Sequence, residues 1–345
     1  MSGIDTRSPR RVLGEVFGFG AFRAPQEEIV DHAVGGGDCL VLMPTGGGKS
    51  LCYQVAALCR PGIGVVVSPL IALMEDQVAQ IAQTGIRAAA LTGTRTAEEA
   101  RSIMSDVSRG RLDLLYVSPE RLLAGGLLDL LERVGVGLFA IDEAHCVSQW
   151  GHDFRPHYRD LAVIADRFPE TPRMALTATA DATTRTDILE QLRLTEGRTF
   201  VSSFDRPNIR YRVQIKDSPK RQLRDFVTRA HKGEKGIVYA LSRKRVEQFA
   251  AFLVENGVNA LAYHAGFDAG TRAARQRAFL EGEDVVMVAT IAFGMGVNAP
   301  DVRFVAHVDL PKSVEAYYQE AGRAGRDGLP AEAFMVYGMA DVVQL

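Results

Sequence analysis

The chain has 345 residues, 47% hydrophobic and 24% charged, with a formal net charge of -2. That length favours two domains with separate cores, and the composition is that of an ordinary soluble globular protein. A near-neutral total excludes a protein that coats nucleic acid through general basicity, while leaving room for a local basic stripe.

No apolar run reaches bilayer length, and the start "MSGIDTRSPRR" lacks the apolar stretch of a secretory signal, so a cytoplasmic protein without membrane contact is expected. The four cysteines, Cys39, Cys52, Cys59 and Cys146, form no C-x-x-C pair and no cluster with histidine at metal-ligand spacing. They read as reduced packing thiols, and no zinc site is expected. Cys52 and Cys59 fall on one face of a predicted helix, where burial is expected.

In chain order, short β-branched runs alternate with helix-period segments. "CLVLM", "IGVVVSP", "LDLLYVSP", "VGLFAID" and "PRMALTAT" predict strands, each followed by a candidate helix. Thr96 and Glu99 make a capping box at one helix start. After "SSFDRPNIRYRV", where Pro207 and Asn208 interrupt the pattern, the alternation resumes with "KGIVYAL", "NALAYHAG", "DVVMVAT", "VRFVAHVDLP" and "EAFMVYG". The alternation predicts α/β architecture, each half a mostly parallel sheet flanked by helices. Two domains, 1–204 and 205–345, are expected, with the boundary near Asp205.

The first motif is "MPTGGGKSLCYQ". A strand, a glycine-rich turn and a helix beginning at Lys49 wrap backbone N–H groups around phosphates, with the positive end of the helix dipole behind them. Thr45, Gly46, Gly47 and Gly48 form the turn; Lys49 would reach the β and γ phosphates and the Ser50 hydroxyl would ligate magnesium. Met43 stands where the full G-x-x-x-x-G-K-[ST] pattern has glycine, so an ordinary glycine-rich turn is the competing explanation. The second motif, "LFAIDEAHCVSQWGHDFRP", puts Asp142 and Glu143 at the C-terminal tip of a buried strand, where α/β ligand sites form. There Asp142 can hold magnesium and Glu143 can orient an attacking water. The third, "YYQEAGRAGRDG", carries Gln319, Arg323 and Arg326. Taken alone these arginines equally describe a solvated basic turn, but beside a phosphate loop they offer the cation that phosphoryl transfer needs.

Together these stretches, with "FGFGAFRAPQEEIV", "VVVSPLIALMEDQV", "SPERL", "MALTATA", "SSFDRPNI", "YHAG" and "VATIAFGMGVN", resemble the catalytic core of RecQ-family DNA helicases of superfamily 2, from about Leu13 onward. The resemblance implies two tandem RecA-like domains, an ATP-binding domain and a helicase C-terminal domain, and an ATP- and Mg2+-dependent DNA helicase that moves 3′ to 5′ in recombination and repair. It implies that Arg23 and Gln26 read adenine and that Phe19, where relatives often carry tyrosine, stacks on the base without a hydroxyl contact. Lys49, Asp142, Glu143, Arg323 and Arg326 become the catalytic set, and Thr177 and Thr179 the link between hydrolysis and unwinding.

The segment from Ser148 to Pro156 resembles the family's aromatic-rich loop. Trp150, the single tryptophan, is either a packed core anchor or, as the resemblance implies, a stacking platform for bases beside Phe154. His152 and Arg155 would relay DNA contact toward the ATP site. Ser68, Pro69, Ser242, Arg243, His264, Thr290 and Asn298 match positions that contact the DNA backbone or support the cleft; for His264 a structural role stands equally open. Ala299 follows Asn298 where many relatives place lysine, so one phosphate contact is expected to be absent.

The implied partners are single-stranded DNA and 3′-tailed duplex DNA, with other repair proteins, for a chain acting as a monomer. Many relatives continue into zinc-binding and winged-helix regions, whereas "MADVVQL" ends inside a predicted helix start. Truncation is therefore the expectation, with ATP hydrolysis stimulated by single-stranded DNA and weak strand separation. A superfamily 2 RNA helicase and a non-catalytic nucleic-acid clamp are the competing functions; the loop "SQWGHDFRP" speaks against the first, and Lys49, Glu143 and Arg326 together against the second.

Overall fold

The structure is a computed structural model that describes residues 8–149, 154–203, 205–294, 299–339 and 341. The chain divides into two compact units, Met1–Phe204 and Asp205–Leu345.

In the first unit the strands are β1 (Cys39–Leu42), β2 (Ile63–Val67), β3 (Ala88–Leu91), β4 (Leu114–Val117), β5 (Val136–Ile141), β6 (Arg173–Thr177) and β7 (Arg198–Val201). They form one sheet in the order β3-β4-β2-β5-β6-β1-β7, and each pair is parallel. Successive side chains of a strand point to opposite faces, so β1 sends Leu40 and Leu42 into one core and Cys39 and Val41 into the other. Helices cover both faces, which is why the central strands read as unbroken apolar runs rather than as alternating ones. Cys52 and Cys59 are buried in the second of these cores with Cys39, on the helix Lys49–Leu58 and its C-cap, and burial pushes the Cys52 thiol up to about 12.

The second unit repeats the plan with β8 (Ile209–Ile215), β9 (Gly236–Tyr239), β10 (Ala260–Tyr263), β11 (Val286–Ala289), β12 (Phe304–His307) and β13 (Ala331–Tyr337). Their order is β10-β11-β9-β12-β13-β8, again parallel throughout. Both units therefore have the α/β architecture expected from the alternation of strands and helices. None of the described helices is long and apolar enough to cross a membrane.

Three strands lie outside the sequence expectation. "AAAL" (β3) and "RTFV" (β7) are four-residue edge strands; "AAAL" has no β-branched residue, and "RTFV", though made largely of strand formers, is too short to show a period by itself. "IRYRVQI" (β8) follows Pro207 and Asn208 and was expected to belong to an interruption. It pairs along its whole length with β13, from Ile209 opposite Ala331 to Ile215 opposite Tyr337. Its arginines Arg210 and Arg212 suit an edge, where charge discourages further strand pairing.

The capping box forms as expected: Thr96 Oγ1 accepts from the Glu99 N–H at 3.2 Å and a Glu99 carboxylate oxygen accepts from the Thr96 N–H at 2.8 Å. Thr96→Ala removes one of these bonds and should cost about 1 kcal/mol. The measurement is hydrogen exchange in Ala97–Ser108: faster exchange of the first-turn amides is expected, and unchanged protection there would show that packing alone holds this helix end.

Candidate functional site

The loop Met43–Gly48 leaves β1 and turns into the helix Lys49–Leu58. Gly46 and Gly48 take φ of +80° and +86°, the left-handed region that favours glycine. At Gly48 space is closed as well, because a Cβ there would lie 2.2 Å from Gln26 Nε2. Lys49 Nζ donates to the carbonyls of Met43 (2.9 Å) and Pro44 (3.4 Å), which holds the ammonium against the loop. Thr45 and Ser50 are half-buried, Gly46 is exposed and Gly47 is half-buried. Gln26 is buried: its Oε1 accepts from the Arg23 N–H at 2.9 Å while its Nε2 donates to the Gly47 carbonyl at 3.1 Å. The donor and acceptor expected to meet an adenine edge are thus engaged by backbone, tying the helix Gln26–Val34 to the phosphate loop. Phe19 is 51% exposed and Arg23 is exposed beside it.

Because β6 lies between β1 and β5, the loop before Lys49, Thr177 at the end of β6 and Asp142 after β5 emerge from adjacent strand ends. Asp142 is buried; its N–H donates to the Val67 carbonyl at 2.8 Å and its carbonyl accepts from the Tyr158 hydroxyl at 2.9 Å. Burial, reinforced by Glu143, raises its carboxyl to about 7, and Lys49 opposes the rise. Glu143 has φ 49° and ψ 44°, a conformation uncommon for a residue with a side chain and one concentrated at functional sites. Its buried Oε2 has no hydrogen-bond partner and lies 3.4 Å from His145 Nδ1.

His145 Nδ1 in turn is 2.9 Å from Thr177 Oγ1. The Thr177 hydroxyl donates its one proton to the Thr179 carbonyl at 2.9 Å and accepts from the Thr179 N–H at 3.3 Å. His145 Nδ1 is therefore the donor in its own bond, which fixes the tautomer. The sequence had singled out Thr177 and Thr179 but not His145, although "DEAH" spells it.

A buried carboxyl held above its usual range, an unpartnered carboxylate oxygen and a glycine cradle suit a divalent cation with a phosphate ligand. Among the described residues no group of three or more His, Cys, Asp or Glu could hold a metal. Magnesium here would draw on Ser50, Asp142, water and phosphate oxygens, the ligand mix it commonly takes.

Ser68 follows β2 with its Oγ buried and unpartnered. Arg155 Nη1 donates to the Pro69 carbonyl at 3.0 Å, and the Arg159 guanidinium lies 5.2 Å from the centroid of the half-buried Phe154 ring. Ser148 Oγ donates to Asp187 at 2.6 Å, anchoring the start of this loop on the helix Ala182–Gln191. Trp150 and His152 lie outside the described residues, as does Asn298.

In the second unit Gln319 stands on the helix Val314–Ala321, with Arg323 and Arg326 in the turns that follow. Arg323 Nη1 donates to the Gly294 carbonyl; Gly294 has φ 152°, and a Cβ there would lie 2.6 Å from the Arg323 guanidinium carbon. Burial raises the Tyr239 phenol to about 12, with Arg323 and Arg326 both opposing the rise. Arg206 clamps their loop, donating to the carbonyls of Gly322 (3.2 Å), Ala324 (3.0 Å) and Gly325 (2.9 Å), and Asn208 Nδ2 adds bonds to Gly325 (2.8 Å) and Leu329 (3.0 Å). "DRPN" had been read as a break in the pattern, and the clamp was missed.

Of the remaining candidates, Ser242 caps the helix Arg243–Glu255, with Arg243 exposed beside it. His264 is buried with Nδ1 accepting from the Gly266 N–H and Nε2 donating to Glu247 at 3.0 Å, so both ring nitrogens are engaged within the unit. Thr290 is half-buried after β11, and Ala299 is buried.

The DEAD/DEAH box helicase family matches residues 23–188, and the helicase conserved C-terminal domain matches 219–328. The ATP-dependent DNA helicase RecQ of Haemophilus influenzae is 51% identical over 342 residues, covering 99% of this chain and 55% of that protein. Its counterpart in Pasteurella multocida is 52% identical over 334 residues, covering 97% and 53%. The chain belongs to the RecQ helicase family. It spans about half the length of these curated RecQ relatives. The fold is shared more widely: the DNA-bound helicase MrfA superposes with a TM-score of 0.78 at 18% identity, over 98% of this chain and 52% of that one. The tandem RecA-like architecture of RecQ helicases is thereby established for the two units.

Gly48→Ala tests the RecQ phosphate loop. A side chain in the left-handed region costs about 1–2 kcal/mol, and the clash with Gln26 adds to it. A Tm lowered by several degrees and weakened nucleotide binding are expected. An unchanged Tm would mean that neither the backbone conformation nor the clash carries a cost.

Proposed function

We propose that this chain is an ATP-driven motor core that moves 3′ to 5′ along single-stranded DNA, in DNA recombination and repair. The observation that carries the reading is the meeting of the Lys49 loop, Asp142–Glu143 and Thr177 at adjacent strand ends of a RecQ-family sheet. The N–H groups of Gly46–Lys49 and the Lys49 ammonium hold the β and γ phosphates of ATP, and Phe19, Arg23 and Gln26 take the base. Magnesium, held by Ser50 and Asp142, supplies positive charge to the phosphate oxygens when bound.

Glu143 orients the attacking water and accepts its proton, helped by a carboxylate oxygen with no competing bond. Arg323 and Arg326, with Gln319 beside them, bring guanidinium charge to the γ-phosphate. Thr177 and Thr179, joined to Glu143 through His145, pass the state of the phosphate to the DNA-holding segments.

DNA lies along Ser68, Trp150, His152, Phe154 and Arg155 in one domain and Ser242, Arg243, His264, Thr290 and Asn298 in the other. Stacking on aromatic side chains is indifferent to sequence, as a travelling motor requires. The work belongs with chromosomal DNA in the cytoplasm, in company with other repair proteins.

Phosphate release titrated with single-stranded DNA, duplex DNA and RNA at one salt concentration tests the reading. Stimulation by single-stranded DNA above the other two is expected; stimulation by RNA alone would replace the DNA motor with an RNA motor. Arg326→Ala should lower turnover about a thousandfold or more with ATP affinity largely kept, and equal losses in both would remove Arg326 from the chemical step. Trp150→Ala should abolish the response to DNA while sparing the basal rate, and an unchanged response would take the aromatic loop out of the coupling.

A further inference from the structure

We infer that Gln77 is a positioning residue that ties the helix opening from the phosphate loop to the segment Ser68–Leu70 through the side-chain amide of Gln54. The inference rests on the function proposed above and adds to it a route within the first unit.

The link starts at Gln54, on the helix Lys49–Leu58 that follows the phosphate loop. Tyr53 on the same helix and Tyr116 on β4 are each 1% exposed, and their rings meet edge to face with centroids 6.4 Å apart. Tyr116 Oη accepts from Gln54 Nε2 at 3.1 Å, and the same Nε2 donates to Gln77 Oε1 at 3.1 Å. The two protons of the Gln54 amide nitrogen are thus both committed. Gln54 is itself buried, so losing either acceptor leaves a donor stranded where water does not replace it. A shift of the helix Lys49–Leu58 is therefore passed to Gln77 through an amide whose donors have no slack.

The far end is a helix able to respond. Only Met74 and Ile81 are buried among the residues of Ile71–Ala82, and its N-cap Leu70 provides no side-chain bond to the first turn. Ile71 and Val78 add partly buried apolar contacts, and the Gln77 bond adds a polar tie to the helix Lys49–Leu58. At its leading end Arg155, from the proposed DNA loop, donates to the Pro69 carbonyl at 3.0 Å. One helix therefore carries the phosphate-loop connection at its middle and a DNA-loop connection at its start.

Gln77→Met removes the acceptor with little change in shape, and Gln77→Glu keeps it. In Gln77→Met the basal ATPase rate should match the unaltered chain and Tm should fall by only a few degrees, the cost of one unsatisfied amide proton, while stimulation by single-stranded oligo(dT) falls about tenfold. Gln77→Glu should retain stimulation to within about twofold. Undiminished stimulation in Gln77→Met, or an equal fall in Gln77→Met and Gln77→Glu, overturns the link. A second readout needs no DNA: a non-hydrolysable ATP analogue should alter hydrogen exchange in Ile71–Ala82 of the unaltered chain and not of Gln77→Met. If oligo(dT) fails to stimulate even the unaltered chain, the motor reading falls, and the exchange measurement alone decides the link: equal responses to the analogue in both proteins overturn it.

Discussion

Asp142 places a carboxyl at the end of a strand whose other residues are apolar and almost wholly buried. A charge in that position is unfavourable unless a counter-charge stands beside it. Lys49 is the near one, and the ammonium is also held by the carbonyls of Met43 and Pro44. The arrangement is accordingly one cation short of comfort, and most of the first unit can be read as the scaffold that keeps it so. Parallel pairing of β1, β6 and β5 brings the two charged side chains to one rim of the sheet. Cores on both faces fix that rim against relaxation.

Around this rim the polar groups are joined rather than scattered. Glu143 meets His145, His145 meets Thr177, and Thr177 closes on the Thr179 backbone. On the other side the Gln54 amide joins the Tyr116 phenol and Gln77. Buried polar chains of this kind gain strength from low local dielectric and lose heavily when one member is removed. They suit a site whose purpose is to report its occupancy, because a change at one group is felt by the rest.

The architecture was legible because a sheet covered on both faces writes itself as apolar runs, and "CLVLM" and "VGLFAID" carry that signature without any knowledge of tertiary contacts. The phosphate loop was legible because glycine freedom and the following Lys49 are local facts. β8 was not, since Arg210, Tyr211 and Arg212 look like a linker until β13 supplies a partner along the whole strand. Arg206 and Asn208 stayed hidden for a similar reason: their acceptors lie more than a hundred positions away. Tyr116 and Gln54 are separated by 62 positions, and only the register of β4 against its neighbours turns Tyr116 toward the core that contains Tyr53. Sequence spacing shows what a helix or strand does by itself, and side chains that meet across elements are invisible to it.

The second unit treats its cations in the opposite way from the first unit's carboxylate. Arg323 is bonded to the Gly294 carbonyl, a neutral acceptor, and Arg206 holds the surrounding loop through carbonyls of Gly322, Ala324 and Gly325. A carboxylate in those places would position the guanidinium equally well but would cancel its charge. Carbonyl acceptors orient it and leave the positive charge available to a phosphate. The contrast is with Arg303, which is paired with Asp327 and serves the fold. Surface arginines of this chain are commonly matched to carboxylates, as Arg167 is to Asp129 and Glu132. Holding Arg323 through a neutral group fixes the guanidinium without the charge cancellation that Asp327 brings to Arg303.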